Sequence, residues 1–584
     1  MRLNKKPRRL AALALLLALL TGLLSACGGT AEDTADIEAF RAKAESLRKA
    51  VLADQVRQEL TDDPAGAAGY AVFLSVCSGV ERAHVCGGTG DSPEDAWNAA
   101  AQAAEKTVKQ ENLVPLWLKA DLVYVSSPLS AGALKNIGEV FGPYGFRYGL
   151  AFDSEYGTAL LEAELNTNHI YDYQNGGVDL ERLNAYLEET GREPLAALPE
   201  EYTAFQCTGW LCDEGWNIVQ LSLEDASYGR RETAAIDGDM ARALAQDGAE
   251  YLAEQVQEDG SILADDGSQL GPARHADALS AMLRGYRQFP SEKLAGSIDR
   301  AAEWLLGQMA YTEDDLAFLM DGSEITLESL ALGVIALTDC TETSGETAYV
   351  PACQALGSGL LSLLDANSGT FTHVLNSSDL SRKEASRSAE WDSMGAAALC
   401  RLYGLTGDPL WLWAAEQVLD RMVKENSMLN GDVWTAYALR EATKYDQDRT
   451  DYFVLALKNV QGNLASIYGA QGAEPAGLEM LMVSYKTYRN MLDAGYSADG
   501  FDAGLLADVI HVRAERQLDG YLFPELAMYF EQPQKVLGAF MSREEGLRIS
   551  VDGLCRNIGG YSLCANNYEK LLADSDPNTK GKGA

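Results

Sequence analysis

Positive charge is scarce in this 584-residue chain: 47 lysines and arginines stand against 86 aspartates and glutamates, a formal net charge of −39. Such a surface repels nucleic acid, which is therefore not an expected partner. Histidine is scarcer still, with five in the whole chain. No HExxH occurs and no cysteine couple is C-x-x-C, so no metal centre is expected. There is no P-loop, no dinucleotide-binding glycine run after a strand and no G-x-S-x-G elbow, so no cofactor is expected either. Beyond residue 24, no segment approaches the ~18 uninterrupted apolar residues that a membrane-spanning helix needs.

What is present starts at the N-terminus. MRLNKKPRRL carries five basic residues and no acidic one, and AALALLLALLTGLL follows as an apolar core. That order is a secretory signal rather than a structural helix. It ends in Leu24-Ser25-Ala26-Cys27 followed by Gly28-Gly29, which resembles the lipobox of bacterial lipoproteins. The resemblance implies a signal peptide over 1–26, cleavage before Cys27, lipid (palmitate) on that cysteine, and a globular part anchored outside the cytoplasmic membrane. Residues 27–67 then form a tether and an amphipathic helix, with Ile37, Phe40, Leu47, Val51 and Leu60 at helical spacing.

Nine further cysteines remain, and eight fall into local couples: Cys77/Cys86, Cys207/Cys212, Cys340/Cys353 and Cys555/Cys564. In an oxidising compartment such couples read as small disulfide-closed loops. Each closure is worth ~2–3 kcal/mol. Cys400, inside an apolar run, reads as a buried thiol.

The chain is too long for one core, and its texture changes near residue 236. Residues 68–235 mix strand-like and helical runs, an α+β domain. AVFLSVCS and VERAHVCGG form a hairpin, and Ser92-Pro93-Glu94 starts a helix with a cap, a first-turn proline and an acidic residue. Residues 236–570 are almost entirely helical: twelve runs in six pairs, with an insertion at about 519–550 and a disordered tail at 571–584. LALGVIAL (330–337) and MGAAALCRLYGL (394–405) are apolar or small nearly all round and must be buried on both sides. PLWLWAAEQVLDRMVKE (409–425) instead puts Leu412, Ala415, Val418, Leu419 and Met422 on one face. Alternating buried and half-exposed helices imply two concentric rings.

This alternation, the TGDP junction (406–409) and the Gly- and Asp-rich turns QEDGSIL and DANSGTF resemble the six-hairpin (α/α)6 toroid of glycoside hydrolases, sugar 2-epimerases and polysaccharide lyases. The fold class expected is therefore mainly α, an (α/α)6 toroid preceded by a smaller α+β domain. The resemblance implies a glycan or cell-envelope polysaccharide as partner and a site where the inner helices start.

Each of those six starts carries a titratable group. Glu390 and Asp432 are the acid/base candidates for glycosidic hydrolysis, which needs two carboxyl groups in distinct roles. Arg274, His275, Asp392 and Asp552 are candidates to position substrate, and Trp391 and Trp434 offer faces on which sugar rings stack. Acidic residues also complement the dipole of any first helical turn by ~0.3–1 kcal/mol. That accounts for Glu324, Glu328, Glu474 and Glu479, which receive no catalytic role here. Arg274 finds an ion-pair partner across the ring in Asp277 or Asp552. The segment QLDGYLFPELAMYF (517–530) either lids the mouth or packs as a short sheet, packing being favoured. The rival to an enzyme is a non-catalytic envelope scaffold that binds glycan.

Overall fold

The computed structural model describes residues 32–53, 69–141, 147–153, 156–172, 176–223, 227–233, 235–264, 266–383, 388–427, 432–470, 475–542 and 548–575. The signal, the lipobox with Cys27, and Glu474 lie outside the described residues. The chain divides into two compact units, 1–232 with 524–534, and 233–523 with 535–584. No helix among the described residues is long and apolar enough to cross a membrane.

The first unit is built on an antiparallel sheet of seven strands: β1 (Tyr70–Cys77), β2 (His84–Gly90), β3 (Trp117–Ser130), β4 (Gly149–Ala151), β5 (Ala159–Leu160), β6 (Glu201–Cys212) and β7 (Ile218–Gln220). Their order is β2-β1-β3-β6-β4-β5, with β7 also on β6. Helices α1 (Glu32–Ala53) and α2 (Pro93–Glu111) enclose one core with Phe40, Leu47, Leu74, Trp97 and Trp210. Ser92 caps α2 by accepting from the Asp95 N–H at 3.1 Å. The β2 run HVCGGTG is glycine-rich because α2 lies on it: a Cβ on Gly88 would strike the backbone of Ala100. Helices α3 (Ala131–Phe141), α4 (Glu162–Thr167) and α5 (Leu180–Glu189) enclose a second core around Leu150, Ile170 and Tyr186.

Residues 524–534 belong to this first unit. Wholly buried Glu525 takes a two-pronged ion pair from Arg231, 2.7 Å at its closest. The Tyr529 hydroxyl lies 2.9 Å from Ser75 Oγ and accepts from Lys119 at 3.3 Å. The segment therefore packs, as expected, but residues 524–527 form a single helical turn rather than a sheet.

The second unit is an (α/α)6 toroid. Its outer helices are α6 (Gly238–Glu254), α8 (Glu292–Gly307), α10 (Val350–Ser362), α12 (Pro409–Glu425), α14 (Thr450–Gly469) and α16 (Ala503–Gln517). Its inner helices are α7 (Pro272–Gln288), α9 (Leu327–Ser344), α11 (Ala389–Thr406), α13 (Val433–Tyr445), α15 (Pro475–Asp493) and α17 (Val551–Asp574). Each inner helix packs on the next, and α17 closes the ring onto α7. The inner helices are buried nearly all round, whereas α12 buries one stripe: Trp411, Ala414, Ala415, Val418, Leu419 and Met422. Two outer-to-inner turns need glycine. Gly260 and Gly369 adopt φ of +86° and +64°, and a Cβ on either would meet a backbone carbonyl of the next outer helix. The last inner helix continues to Asp574, past the 571 boundary expected for the tail, and residues 576–584 lie outside the described residues.

The disulfide expectation is corrected. All nine cysteines from Cys77 to Cys564 are thiols. A bridge needs Cα atoms within about 7 Å. Cys207 and Cys212 lie on one strand, ~16 Å apart at ~3.3 Å per residue. Cys555 and Cys564 lie on one helix, ~13 Å apart at ~1.5 Å per residue. Cys86 faces Leu74, three positions from Cys77 on β1, and the Cys77 sulfur instead accepts from the Gly79 N–H at 3.3 Å. Cys340 and Cys353 are buried thiols on the neighbouring helices α9 and α10. Cys400 is a buried thiol as well.

Candidate active site

The inner helices all start at one end of the ring, and their first turns bring carboxylates from several helices into one field. Between Leu327 and Thr341 on α9, every residue except Glu328 is buried. Glu328 sits in the first turn, among the residues whose N–H groups have no partner within the helix, and is half-buried. Burial pushes its carboxyl up to about 7, and the negative charges of Glu390, Asp552 and Asp277 add to that, against Arg274. Glu390, solvent-accessible at the start of α11, is also pushed up, first by desolvation and then by Asp432. Carboxylates from three other inner helices thus raise the proton affinity of Glu328.

Beneath these carboxylates lies a continuous ion network. Arg556 on α17 donates to Asp277 Oδ1 at 2.5 Å and to Glu479 Oε2 at 2.8 Å. Glu479, wholly buried, also accepts from Arg284 at 2.5 Å and from the Tyr437 hydroxyl at 2.6 Å. The Arg556 guanidinium stands 5.2 Å from the centre of the Trp434 ring. Gly559 makes room for this floor, because a Cβ there would press on Glu479 and Arg284. A buried charge left alone costs several kcal/mol, so the network holds the ring in one arrangement below the carboxylates.

The sequence-derived candidates divide. Arg274 takes Asp552 as its partner, at 3.0 Å, and both remain exposed at the mouth. Trp391 is half-buried, with its ring 5.6 Å from that of His373. Trp434 is buried, with one face under Arg556 and Tyr437 beside it at 5.5 Å, so it supports the floor rather than offering a free platform. Asp432 is the cap of α13: it accepts from the N–H groups of Trp434 and Thr435 at 2.8 and 3.1 Å and from the Thr435 hydroxyl at 2.5 Å. Both its oxygens are in use, as capping requires.

Two candidates are corrected. His275 is wholly buried, donates from Nε2 to the Ala301 carbonyl at 2.9 Å and stacks on Trp304 at 4.1 Å. Desolvation lowers its pKa to about 4, so it is a neutral packing residue between α7 and α8, with no route to substrate. Asp392 is 1% exposed and accepts from the Phe371 N–H, from His373 Nε2 at 3.1 Å and from Arg421 at 2.9 Å. His373 Nδ1 accepts from the Ser388 N–H at 3.2 Å, which leaves the proton on Nε2, facing Asp392. Asp392 therefore ties the first turn of α11 to residues 371–373 and to Arg421 on α12.

Sequence reasoning missed Glu328, Asp277, Glu479, Tyr437 and Arg556 as members of this assembly. Glu328 and Glu479 were put down to helix capping. The signal that distinguishes Glu328 was available: it is the one charged residue in LESLALGVIAL that an all-round buried helix must aim at the ring axis.

No protein-family model matches the chain, and no curated protein matches its sequence. The chain is similar to solved structures at low identity. They include an unsaturated glucuronyl hydrolase specific for heparin (10% identity, 58% of this chain and 99% of that one, TM-score 0.40). A GH76 α-mannanase of Bacteroides thetaiotaomicron gives 12% identity, 57% and 97% coverage and a TM-score of 0.40. A cellobiose 2-epimerase of Spirochaeta thermophila gives 11% identity, 57% and 98% coverage and a TM-score of 0.43.

Proposed function

We propose that the toroid acts on a glycan at the mouth of its inner ring, cleaving a glycosidic bond with Glu328 as proton donor and Glu390 as its carboxylate partner. The observation that carries this reading is the Glu328 carboxyl, raised to about 7 among Glu390, Asp552 and Asp277. A group with that proton affinity still holds its proton near neutrality and can deliver it to a leaving oxygen. No histidine competes for the role: of those in the toroid, His275 and His373 are buried and His511 is on outer helix α16. Trp391 supplies a half-exposed ring for a sugar face, and the Arg274–Asp552 pair supplies hydrogen-bonding groups for hydroxyls.

The envelope address and the lipid on Cys27 are part of the same proposal and rest on residues 24–29. The alternative of a glycan-binding scaffold draws on Asp432, whose carboxylate is spent on its helix. A panel of cell-envelope and dietary polysaccharides, incubated with wild type, Glu328→Gln and Glu390→Gln, separates them. Release of reducing ends by wild type and not by the folded variants supports hydrolysis. Binding of a glycan by all three proteins without release supports the scaffold.

A further inference from the structure

Below the ion network, toward the C-terminal ends of the inner helices, the toroid axis opens again. A cavity of about 180 Å³ lies there, lined from inner helices by Arg284, Arg287, Arg401, Arg440, Lys486 and Ser562, with Asp339 and Glu441 as its carboxylates. It lies on the same helix stripes as the mouth carboxylates: Ile335 and Asp339 follow Glu328 on α9, and Ala397 and Arg401 follow Glu390 on α11. Seven to eleven residues of helix put it roughly 10–16 Å deeper than the mouth carboxylates.

In a chain of net charge −39, this lining is cationic. Five cations face two carboxylates, and adding the partners Lys444, Glu342 and Glu479 still leaves six against four. Internal pairing explains part of it. Asp339 accepts from Arg287 at 2.8 Å and from Arg401 at 2.7 Å, and Glu441 pairs with Arg440 and Lys444. Lys486 makes no ion pair or hydrogen bond with any described residue. The Ser562 hydroxyl, on a residue 5% exposed, has no partner either, and the Nε groups of Arg401 and Arg440 are buried without acceptors. Complementing helix dipoles does not account for them, since that effect fades beyond the last turn. Lys486 lies seven residues before the end of α15, and Arg401 and Arg440 each lie five before the ends of α11 and α13.

We infer that this axial cavity is a second binding site, for a small tetrahedral oxyanion: a phosphate or sulfate group, free or carried on a sugar-sized molecule. Residues with donor groups line it from five inner helices around the axis. That suits an anion accepting in all directions better than a planar carboxylate, and guanidinium groups are its usual partners. Burial first, and then the cations Arg440, Lys444 and Lys570, lower the pKa of Lys486 to about 8 against the charge of Glu441. The site is separate from the mouth carboxylates and does not depend on their role.

The test is calorimetric titration of the whole chain with inorganic phosphate, sulfate and, at matched ionic strength, chloride. It is repeated on Lys486→Met, Ser562→Ala and the exposed control Lys424→Met. The expected result is saturable binding of phosphate or sulfate but not chloride, unchanged in Lys424→Met and weakened at least about tenfold, or 1.4 kcal/mol, in Lys486→Met. Ser562→Ala deletes a hydroxyl without a partner and should fold normally, with a weakening of severalfold. A preference between the two anions names the source. No saturable binding by wild type, or binding equal in wild type, Lys486→Met and Ser562→Ala, overturns the inference.

Discussion

Glu328 and Glu390 open neighbouring inner helices, and the charge of Glu390 helps hold the Glu328 carboxyl at about 7. The relationship opposes stability. A carboxyl whose folded pKa is above its unfolded value of 4.5 stabilises the fold most at low pH, where both states are protonated. That contribution is lost as pH rises from 4.5 through about 7. Glu328→Gln should therefore flatten the fall in stability across that window and leave a protein more stable than wild type above it. Denaturant midpoints measured at pH 5 and pH 8 check this, and an unchanged pH slope would place Glu328 in open water.

Asp392 and Asp432 make different predictions. Removing Asp392 takes the buried acceptor from the Phe371 N–H, His373 and one arm of Arg421, which keeps Glu425 and the Gly369 carbonyl, so Asp392→Ala should cost about 3 kcal/mol. Asp432→Asn keeps one acceptor at the start of α13 but leaves one of the N–H groups of Trp434 and Thr435 without its partner, and should cost about 1 kcal/mol. Urea unfolding of both variants separates them, and comparable losses would mean that Asp432 does more than cap.

His275 is predicted to matter to the fold and not to the site. His275→Ala removes a stacked, buried ring and should cost about 2–3 kcal/mol, with the function of the folded protein intact. Because its folded pKa is about 4 against 6.5 in the unfolded chain, wild type also loses stability as pH falls through that interval. The variant should lose less over the same range. A glycan-binding defect in the folded variant would return His275 to the site.

The cysteines should behave as thiols. Denatured protein handled without reductant is expected to titrate all nine from Cys77 to Cys564, and reductant should leave the melting temperature unchanged. A shortfall of two that reductant restores would point to Cys340 and Cys353, which lie on adjacent helices.

Much of the toroid was legible in the sequence because its helices are long and carry one period each. The run PLWLWAAEQVLDRMVKE is helix Pro409–Glu425, with one stripe buried. The buried inner helices could be read because LALGVIAL and MGAAALCRLYGL have no wet side. The first unit was harder. YGTALLEAELNTNHIYDY has the composition of a helix, yet Ala159–Leu160 is strand and the helix spans only Glu162–Thr167, because β4 offers an edge that local propensity does not reveal. The cysteine couples misled for a related reason. Nearness in sequence implies a hairpin, but Cys207 and Cys212 are on the same strand.

The site was legible as a place rather than as residues. Acidic first turns are common to caps and catalysts, and the chain alone does not say which carboxylate keeps a free oxygen. Asp392 and Asp432 turned out to be engaged by Arg421, His373 and Thr435. Glu328 was set aside because its position suited a cap, while Thr326 in fact caps that helix.

The most direct test is the pH dependence of glycan cleavage by wild type and Glu328→Gln. If Glu328 donates the proton, wild-type rates should fall on the alkaline side near pH 7, and the folded variant should lose roughly 10²–10⁴-fold. Equal rates in the two proteins, with the same alkaline limb, would contradict the account.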